Sequence, residues 1–324
     1  MLPDHATIVL LFAAFFDYLI GDPWHWPHPV QMMGLIITWL TQATLKHFHQ
    51  PWQRRLVGIV LGGGIIVGSG WITWMMIQFA DEIHWFLSLV LQIILLASCF
   101  AGRSLSLAAL DVLRPLEKEE IEAARVRLSR YVGRETHNLS KAEVYRATLE
   151  TVAENAVDGV TAPLFYAIAG ALIPMIGPVP LAMAYKAAST LDSMIGYRRE
   201  PYSDIGCFSA RFEDCLTWVP CRLTVLTLAS LSWRPQQILS VCFRDAPQDP
   251  SPNSGWSECV YAAVLGVELG GRNTYQGIVK EKPTLGDPLR PIDKDVIKRS
   301  LNLTRYCFLL WLMVGSIILN CSNR

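Results

Sequence analysis

Glu150, Glu154 and Asp158 stand at i, i+4 and i+8 in the run TLETVAENAVDG. On an α-helix that spacing stacks three carboxylates along one face, drifting by about 40° per step. Like charges so placed repel each other, and a divalent cation or an arginine cluster would compensate them. A solvated helix face paired to Arg146 explains the same pattern. Location favours chemistry, because the acids end where an apolar segment begins and an uncompensated charge there is costly. Two further acid groups follow, Asp192 and Glu213-Asp214. Cations lie near each group: Arg134 and Arg146, Lys186 and Arg198, Arg211 and Arg222. Carboxylates hold a hard cation such as Mg²⁺, and Arg and Lys hold phosphate oxygens. The set therefore suits Mg²⁺-dependent chemistry on phosphates. RYVGRET places Arg130, Arg134 and Glu135 around Gly133, which reads as a helix C-cap. Arginine holds phosphate or carboxylate bidentately, although an ordinary solvated helix end explains this block equally well. The chain has neither a P-loop nor a Rossmann fingerprint, so a nucleotide would bind by another arrangement.

The elements that must position these groups are apolar. Of the 324 residues, 52% are hydrophobic and only 17% charged, with 11 Trp and a mean hydropathy of +0.29. That is too apolar and too poor in charge for an ordinary globular chain. A formal net charge of zero leaves no basic footprint for nucleic acid. The eight Cys form no C-x-x-C pair and the seven His no H-E-x-x-H, which argues against structural zinc or a disulfide framework. The start MLPDHATIVLLFAAFFDYLIGD lacks the basic flank and cleavage site of a signal peptide.

Ala6–Ile20 is apolar but short, with Asp17 inside it, and GDPWHWPHPV then suits a membrane interface. Leu56–Ala80 carries no charge and reaches roughly 37 Å as a helix, enough to span a bilayer with tilt. Its GGG and GSG permit close helix packing. His84–Ala101 is the next apolar run, and Asp81-Glu82 mark the turn between the two. Lys46, Arg54, Arg55 and Arg103 flank this hairpin, which puts its ends in the cytoplasm. Thr161–Tyr185 holds Pro163, Pro174, Pro178 and Pro180, so two half-helices meeting at IPMIGPVP, a re-entrant hairpin, fit better than one span. Gly206–Trp233 reads as a further spanning or re-entrant segment, and Leu303–Leu319 as a last crossing. The expected fold is all-α: a polytopic helical membrane protein with broken helices and a helical cytoplasmic face. Residues 1–324 form one integral-membrane domain in this reading, with polar cytoplasmic blocks at about 102–160, 186–215 and 234–302.

The motifs themselves resemble the membrane-bound adenosylcobinamide-phosphate synthases (cobinamide synthases) of cobalamin biosynthesis. The matching pieces are DYLIGDPWHWPHPVQMMG, AGRSL, RYVGRET, ETVAENAVDGVTAPLFYAIAG, LDSMIGYR, RFEDCLTWVPCRL, RDAPQDPSPNSGWSE and LGVELGGRNTYQG. They run from Asp17 over nearly the whole chain. The family pattern more often has Asp at Glu135, Ser at Thr151, Asn near Ala188 and His at Asp249, where loss of an imidazole argues against a general base.

The resemblance implies a ligase in the cell membrane, its polar loops mainly cytoplasmic. It joins (R)-1-aminopropan-2-ol O-phosphate, or ethanolamine phosphate, to the free propionate of adenosylcobyric acid with ATP. Charge logic and motif membership then assign Glu150, Glu154 and Asp158 to Mg²⁺–ATP, and Asp192 as a second metal ligand or the base. Arg130, Arg134, Lys186 and Arg198 become phosphate contacts, with Arg244, Asp245 and Asn253 forming the other wall. Trp24, Trp26 and Tyr197 would pack on the flat corrin or, more simply, form an interfacial belt. Other corrinoid-pathway enzymes are conceivable partners. Three competing readings are an intramembrane phosphotransferase or prenyltransferase, a transporter with its site in broken helices, and a scaffold. Against the first stands the lack of paired D-x-x-x-D blocks, and against the second the lack of a repeat.

Overall fold

Several helices begin where the sequence makes a first turn inexpensive. Pro29, Pro51, Pro178 and Pro235 each open one, at positions where the missing amide hydrogen has no helical partner to lose. Ser140 opens another through a capping box: its Oγ accepts from the Glu143 amide at 3.3 Å, and Glu143 Oε2 accepts from the Ser140 amide at 2.7 Å. The computed structural model describes residues 3–21, 28–197, 199–275 and 277–322. Asp22, Trp24, Trp26 and Arg198 lie outside the described residues.

In chain order the helices are α1 (Pro3–Leu19), α2 (Pro29–His47), α3 (Pro51–Ile83), α4 (Trp85–Ala97), α5 (Gly102–Glu117), α6 (Ile121–Leu128) and α7 (Lys141–Ala156). After α7 a π-turn, Val157–Thr161, leads into α8 (Ala162–Ala171), α9 (Pro178–Ile195) and α10 (Cys207–Leu231). Then come α11 (Pro235–Asp245), α12 (Ser254–Leu265), an antiparallel hairpin β1 (Leu269–Tyr275) and β2 (Ile278–Leu285), and α13 (Lys294–Cys321). The chain divides into two compact units: Met1–Ala101, Ala162–Thr217 and Leu310–Arg324 in one, Gly102–Thr161 and Trp218–Leu309 in the other.

In the first unit α9 packs against α3, α8, α2 and α4. Close approach is possible because a Cβ on Gly70 of α3 would lie 3.1 Å from the Pro180 carbonyl, and one on Gly62 would press on Phe208. At the other glycines of the GGG and GSG runs, Gly63, Gly64 and Gly68, a Cβ would meet nothing within 4 Å. The expected break holds: α8 stops at Ala171 and α9 starts at Pro178. Tyr166 and Tyr185 stack across the pair with ring centroids 4.8 Å apart. Asp17 is buried. Among the described residues, three helical stretches are long and apolar enough to cross a membrane, Pro51–Ile83, Trp85–Glu117 and Lys294–Cys321. The second runs through the turn at Ser98–Ala101 that separates α4 from α5. Helix α10 is continuous over 25 residues with Pro220 inside it.

The second unit holds the polar blocks 102–160 and 234–302, whereas 186–215 belongs to the first. Helices α5, α6 and α7 pack together, and α12 packs on α7, α11 and both strands. The hairpin amends the all-α expectation, because block 234–302 is not wholly helical. Its alternation in RNTY and IVKEKPTL, on either side of a Gly-containing turn, is a strand signal that the mixed charges of the block mask. The pairing shifts register between Leu269 and Gly271. Gly270 sits at this bulge with φ +86, where a Cβ would run into the Pro283 carbonyl. Such a bulge re-aims the backbone, and here it turns Gly270 toward α7.

Candidate functional site

The π-turn breaks the carboxylate row. Thr161 Oγ donates to the Ala156 carbonyl at 3.3 Å and bonds to Thr224 Oγ at 2.8 Å, stabilising the wider turn. Asp158 therefore leaves the line that an unbroken helix would give it. Glu150 goes elsewhere altogether. It is buried, and both its oxygens are taken. Arg134 donates to Oε2, while Arg146 at 3.2 Å and the Gly270 amide at 2.9 Å donate to Oε1. The same two guanidinium groups reach the hairpin. Arg134 donates to Asn273 Oδ1 at 2.6 Å, and Arg146 to the Gly270 carbonyl, the Arg272 carbonyl at 3.0 Å and Asn273 Oδ1 at 3.1 Å. Glu135 adds a clasp near the hairpin tip, accepting from the Gly277 amide at 2.6 Å. The result is a charge-assisted clamp between α7 and β1 with its carboxylate saturated.

One turn further along α7 the bonding changes character. Ser257 Oγ of α12 donates to the Ala153 carbonyl, which sets Glu154 and Glu258 on adjoining residues of the two helices. Glu258 is fully buried. Its Oε1 accepts from Lys282 Nζ of β2 at 3.2 Å, and its Oε2 has no partner. Asp249 lies against the same face of α12. A Cβ on Gly255, one turn before Glu258, would come within 2.5 Å of Asp249 Cβ. Asp249 Oδ1 accepts from the Ser251 amide at 2.8 Å, and its Oδ2 is unpartnered. Burial pushes the Glu258 carboxyl up to about 8; Glu150 and Glu154 add to the push and Lys282 opposes it. For Lys282, burial works to lower the pKa, but Glu258, Glu154, Glu150 and Asp249 together raise it. Among the described residues of this unit, every buried side-chain nitrogen or oxygen without a partner belongs to Asp249, Glu258 or Asn273. Buried polar atoms are nearly always paired, so the orphaned oxygens of Glu258 and Asp249, both acting on Lys282, mark a place with bonding capacity to spare.

Comparison with known proteins decides the family. The CobD/Cbib protein model matches residues 10–304. The chain belongs to the CobD/CbiB family. It is 51% identical over 319 residues, 98% of this chain and 93% of the relative, to "Cobalamin biosynthesis protein CobD" of Synechocystis sp.. The corresponding protein of Yersinia enterocolitica is 42% identical over 316 residues, covering 96% of this chain and 97% of the relative. "Cobalamin biosynthesis protein CbiB" of Salmonella arizonae is 40% identical over 299 residues, 89% of each chain. No solved structure matches the chain.

In this CobD/CbiB chain the sequence-derived candidates disperse. Glu150, Glu154 and Asp158 do not form the expected three-carboxylate metal site. Glu150 is saturated, Glu154 is exposed and Asp158 is half-buried on the π-turn. Among the described residues no three His, Cys, Asp or Glu side chains gather to hold a metal. Arg134, expected on phosphate, is committed to Glu150 and Asn273, while Arg130 is exposed. Gly133 is not the cap of α6, whose C-cap is Ser129. Arg244 forms a bidentate pair with Asp245 at 2.7 and 2.8 Å and reaches Asp287 at 2.8 Å, and Asp245 accepts from the Gly286 amide at 2.9 Å. This pair ties α11 to the end of β2. Asn253 begins α12 and accepts from Arg222 at 3.2 Å. Trp256 and Trp218 cover the Arg222 guanidinium at 4.6 and 5.1 Å. Lys186 and Asp192 sit half-buried on α9 in the first unit, where Asp192 and Asp214 act on buried Glu213. Tyr197 is covered by Arg199 at 5.0 Å. Glu258, Lys282 and Asn273 are the residues that sequence reasoning passed over. Glu258 ends SPNSGWSE and Asn273 lies in LGGRNTYQG, so motif membership was the available signal, whereas Lys282 carried none.

Proposed function

We propose that this chain is an adenosylcobinamide-phosphate synthase. In this reading it joins the amine of (R)-1-aminopropan-2-ol O-phosphate, or of ethanolamine phosphate, to the free propionate of adenosylcobyric acid at the expense of ATP. The observation that carries the reading is the 51% identity over 98% of the chain to a protein named for cobalamin biosynthesis. A buried acid–base cluster with unsatisfied oxygens supports a catalytic rather than a scaffolding role.

A carboxylate is a poor electrophile, so the propionate must first acquire a leaving group. Attack of a propionate oxygen on the γ-phosphorus breaks its bond to ADP and gives an acyl phosphate. The amine then attacks the acyl carbon, the C–N bond forms and phosphate departs. Mg²⁺ enters this reading with ATP as the metal–nucleotide co-substrate. The Glu150, Glu154 and Asp158 set does not fit a protein-held ion, and no step is assigned to one. Arg134, Arg146 and Glu150 act as positioning residues that fix α7 against the hairpin. Exposed Arg130 is the phosphate contact proposed in the second unit, whereas Lys186 and Asp192 lie in the first and are given no step here.

The test is a ligation assay on membranes containing the chain, supplied with adenosylcobyric acid, aminopropanol phosphate, Mg²⁺ and ATP. Adenosylcobinamide phosphate and ADP should appear only when all four are present. A folded sample that yields neither, with or without added soluble extract, refutes the ligase. Product only with extract would assign a partner enzyme.

A further inference from the structure

We infer that Glu258 receives the ammonium group of the amine substrate and takes its proton, in the place where the structure now seats the Lys282 ammonium. This rests on the ligase reading. The reaction poses a problem that the clamp does not address: an amino-alcohol phosphate reaches the protein as an ammonium ion, which has no lone pair. One proton must go to a base before attack.

The second unit offers one such acceptor with the right recognition chemistry. Glu258 is fully buried, with Oε2 unpartnered and Oε1 already accepting from a primary ammonium at 3.2 Å. Lys282 is an internal stand-in for the ligand class, because its head group and the substrate's are both primary ammonium ions. Its side chain is 30% exposed while the carboxylate it bonds is 0% exposed, and its flexible four-carbon stem is able to withdraw. The charges leave room for one more cation or proton. From α7 come Glu150 and Glu154 with Arg146, from the segment before it Arg134, from β2 Lys282, and from the loop before α12 Asp249. With Glu258 that makes four carboxylates facing three cations. The orphaned Oδ2 of Asp249 is a second acceptor against the same face of α12. The raised affinity of Glu258 for a proton supports the role, since a base works best when its pKa is near the working pH.

The balance is simple. The ammonium proton passes to Glu258 Oε2, and the freed lone pair attacks the acyl carbon. Phosphate leaves with the electrons of its bond to that carbon and carries the second N–H proton. Glu258 then returns its proton to solvent.

Hydroxylamine separates this step from the one before it. It is a neutral nucleophile at pH 7, traps the acyl phosphate as a hydroxamate and needs no base. In Glu258→Gln the hydroxamate and ADP should form at the wild-type rate while amide formation falls about 10²–10⁴-fold. Amide should return as pH rises, about tenfold per unit, as free amine accumulates. Amide formed at the wild-type rate at pH 7 overturns the assignment, and so does equal loss of amide and hydroxamate in a folded variant. Should Glu258→Gln not fold, Glu258→Asp carries the test. It keeps the charge and withdraws the oxygen by one methylene, so its amide-to-hydroxamate ratio must fall, and an unchanged ratio overturns the proposal. Wild-type protein that forms neither product refutes the ligase reading itself, which is a different result.

Discussion

Replacing Glu150 by alanine should loosen the hairpin before it touches any chemistry. The change leaves two guanidinium groups facing a void. Arg134 is 7% exposed and Arg146 15%, so water replaces the lost carboxylate poorly. Removing one partner of a buried pair costs about 3–5 kcal/mol. Part of that is offset because Asn273 Oδ1 and the carbonyls of Gly270 and Arg272 still accept from the same groups. A local loss of about 3 kcal/mol remains, or roughly a hundredfold in an opening equilibrium. Hydrogen exchange of the intact protein in detergent reads this directly on peptides covering β1 and β2. The Gly270 amide, which donates to Glu150 Oε1, should lose the most protection, and helices of the first unit should lose none. Unchanged hairpin protection in Glu150→Ala would refute the clamp and return Glu150 to the metal site expected from its spacing.

Three other outcomes follow from the same geometry. The Glu258 carboxyl titrates near 8 in the folded chain against 4.5 ordinarily, so between those values the folded state holds more protons and stability falls as pH rises. Thermal unfolding across pH 5–9 should show a loss on the order of a few kcal/mol, and Glu258→Gln should flatten it. Gly270→Ala should mimic Glu150→Ala in hairpin exchange, because its φ of +86 is strained for alanine and a Cβ meets the Pro283 carbonyl. Gly70→Leu should lower the melting temperature of the first unit through α3 and α9, whereas Gly64→Leu, with nothing near its Cβ, should not.

The long apolar helices were legible because length and absence of charge are sufficient signals. Pro51–Ile83 contains the whole Leu56–Ala80 run, and the proline cluster located the break between α8 and α9. What the sequence concealed depends on bonds between distant residues. The spacing of Glu150, Glu154 and Asp158 described an unbroken α-helix, and the π-turn at Val157–Thr161 comes from a threonine hydroxyl whose other partner, Thr224, lies far along the chain. Arg134 looked available for phosphate because its partner Asn273 belongs to a hairpin whose polar surface reads as loop, whereas Arg146, read as a partner of the acid row, does pair with Glu150. Glu258 drew no reading from the sequence, because its burial comes from the packing of Asp249 on Gly255 and of α12 on α7.

The contrast between the two halves of the cluster carries a mechanical consequence. Around Glu150 the carboxylate's bonding capacity is used, which makes α7 and β1 one rigid piece. One helical turn later, at Ala153, the Ser257 bond passes that rigidity to α12. The capacity left unused sits beyond that joint, on Glu258 Oε2 and Asp249 Oδ2, each the unpartnered oxygen of a carboxylate whose other oxygen is bonded. A cluster built for stability alone would saturate the carboxylates of the second half as it does Glu150, since each unpaired buried polar group costs about 1–3 kcal/mol. A cluster built to receive an ammonium ion must keep acceptors in reserve and hold them still. Lys282 fits that arrangement as a displaceable occupant, reaching Glu258 from an exposed-edge strand rather than from the clamped helix. Lys282→Met should thus leave the Glu150 clamp intact while raising the affinity of Glu258 for a proton. An upward shift in the pH dependence of Lys282→Met stability, without change in hairpin exchange, is the expected signature. Loss of both together would mean that the two halves are one network, and that the reserve is not separable from the clamp.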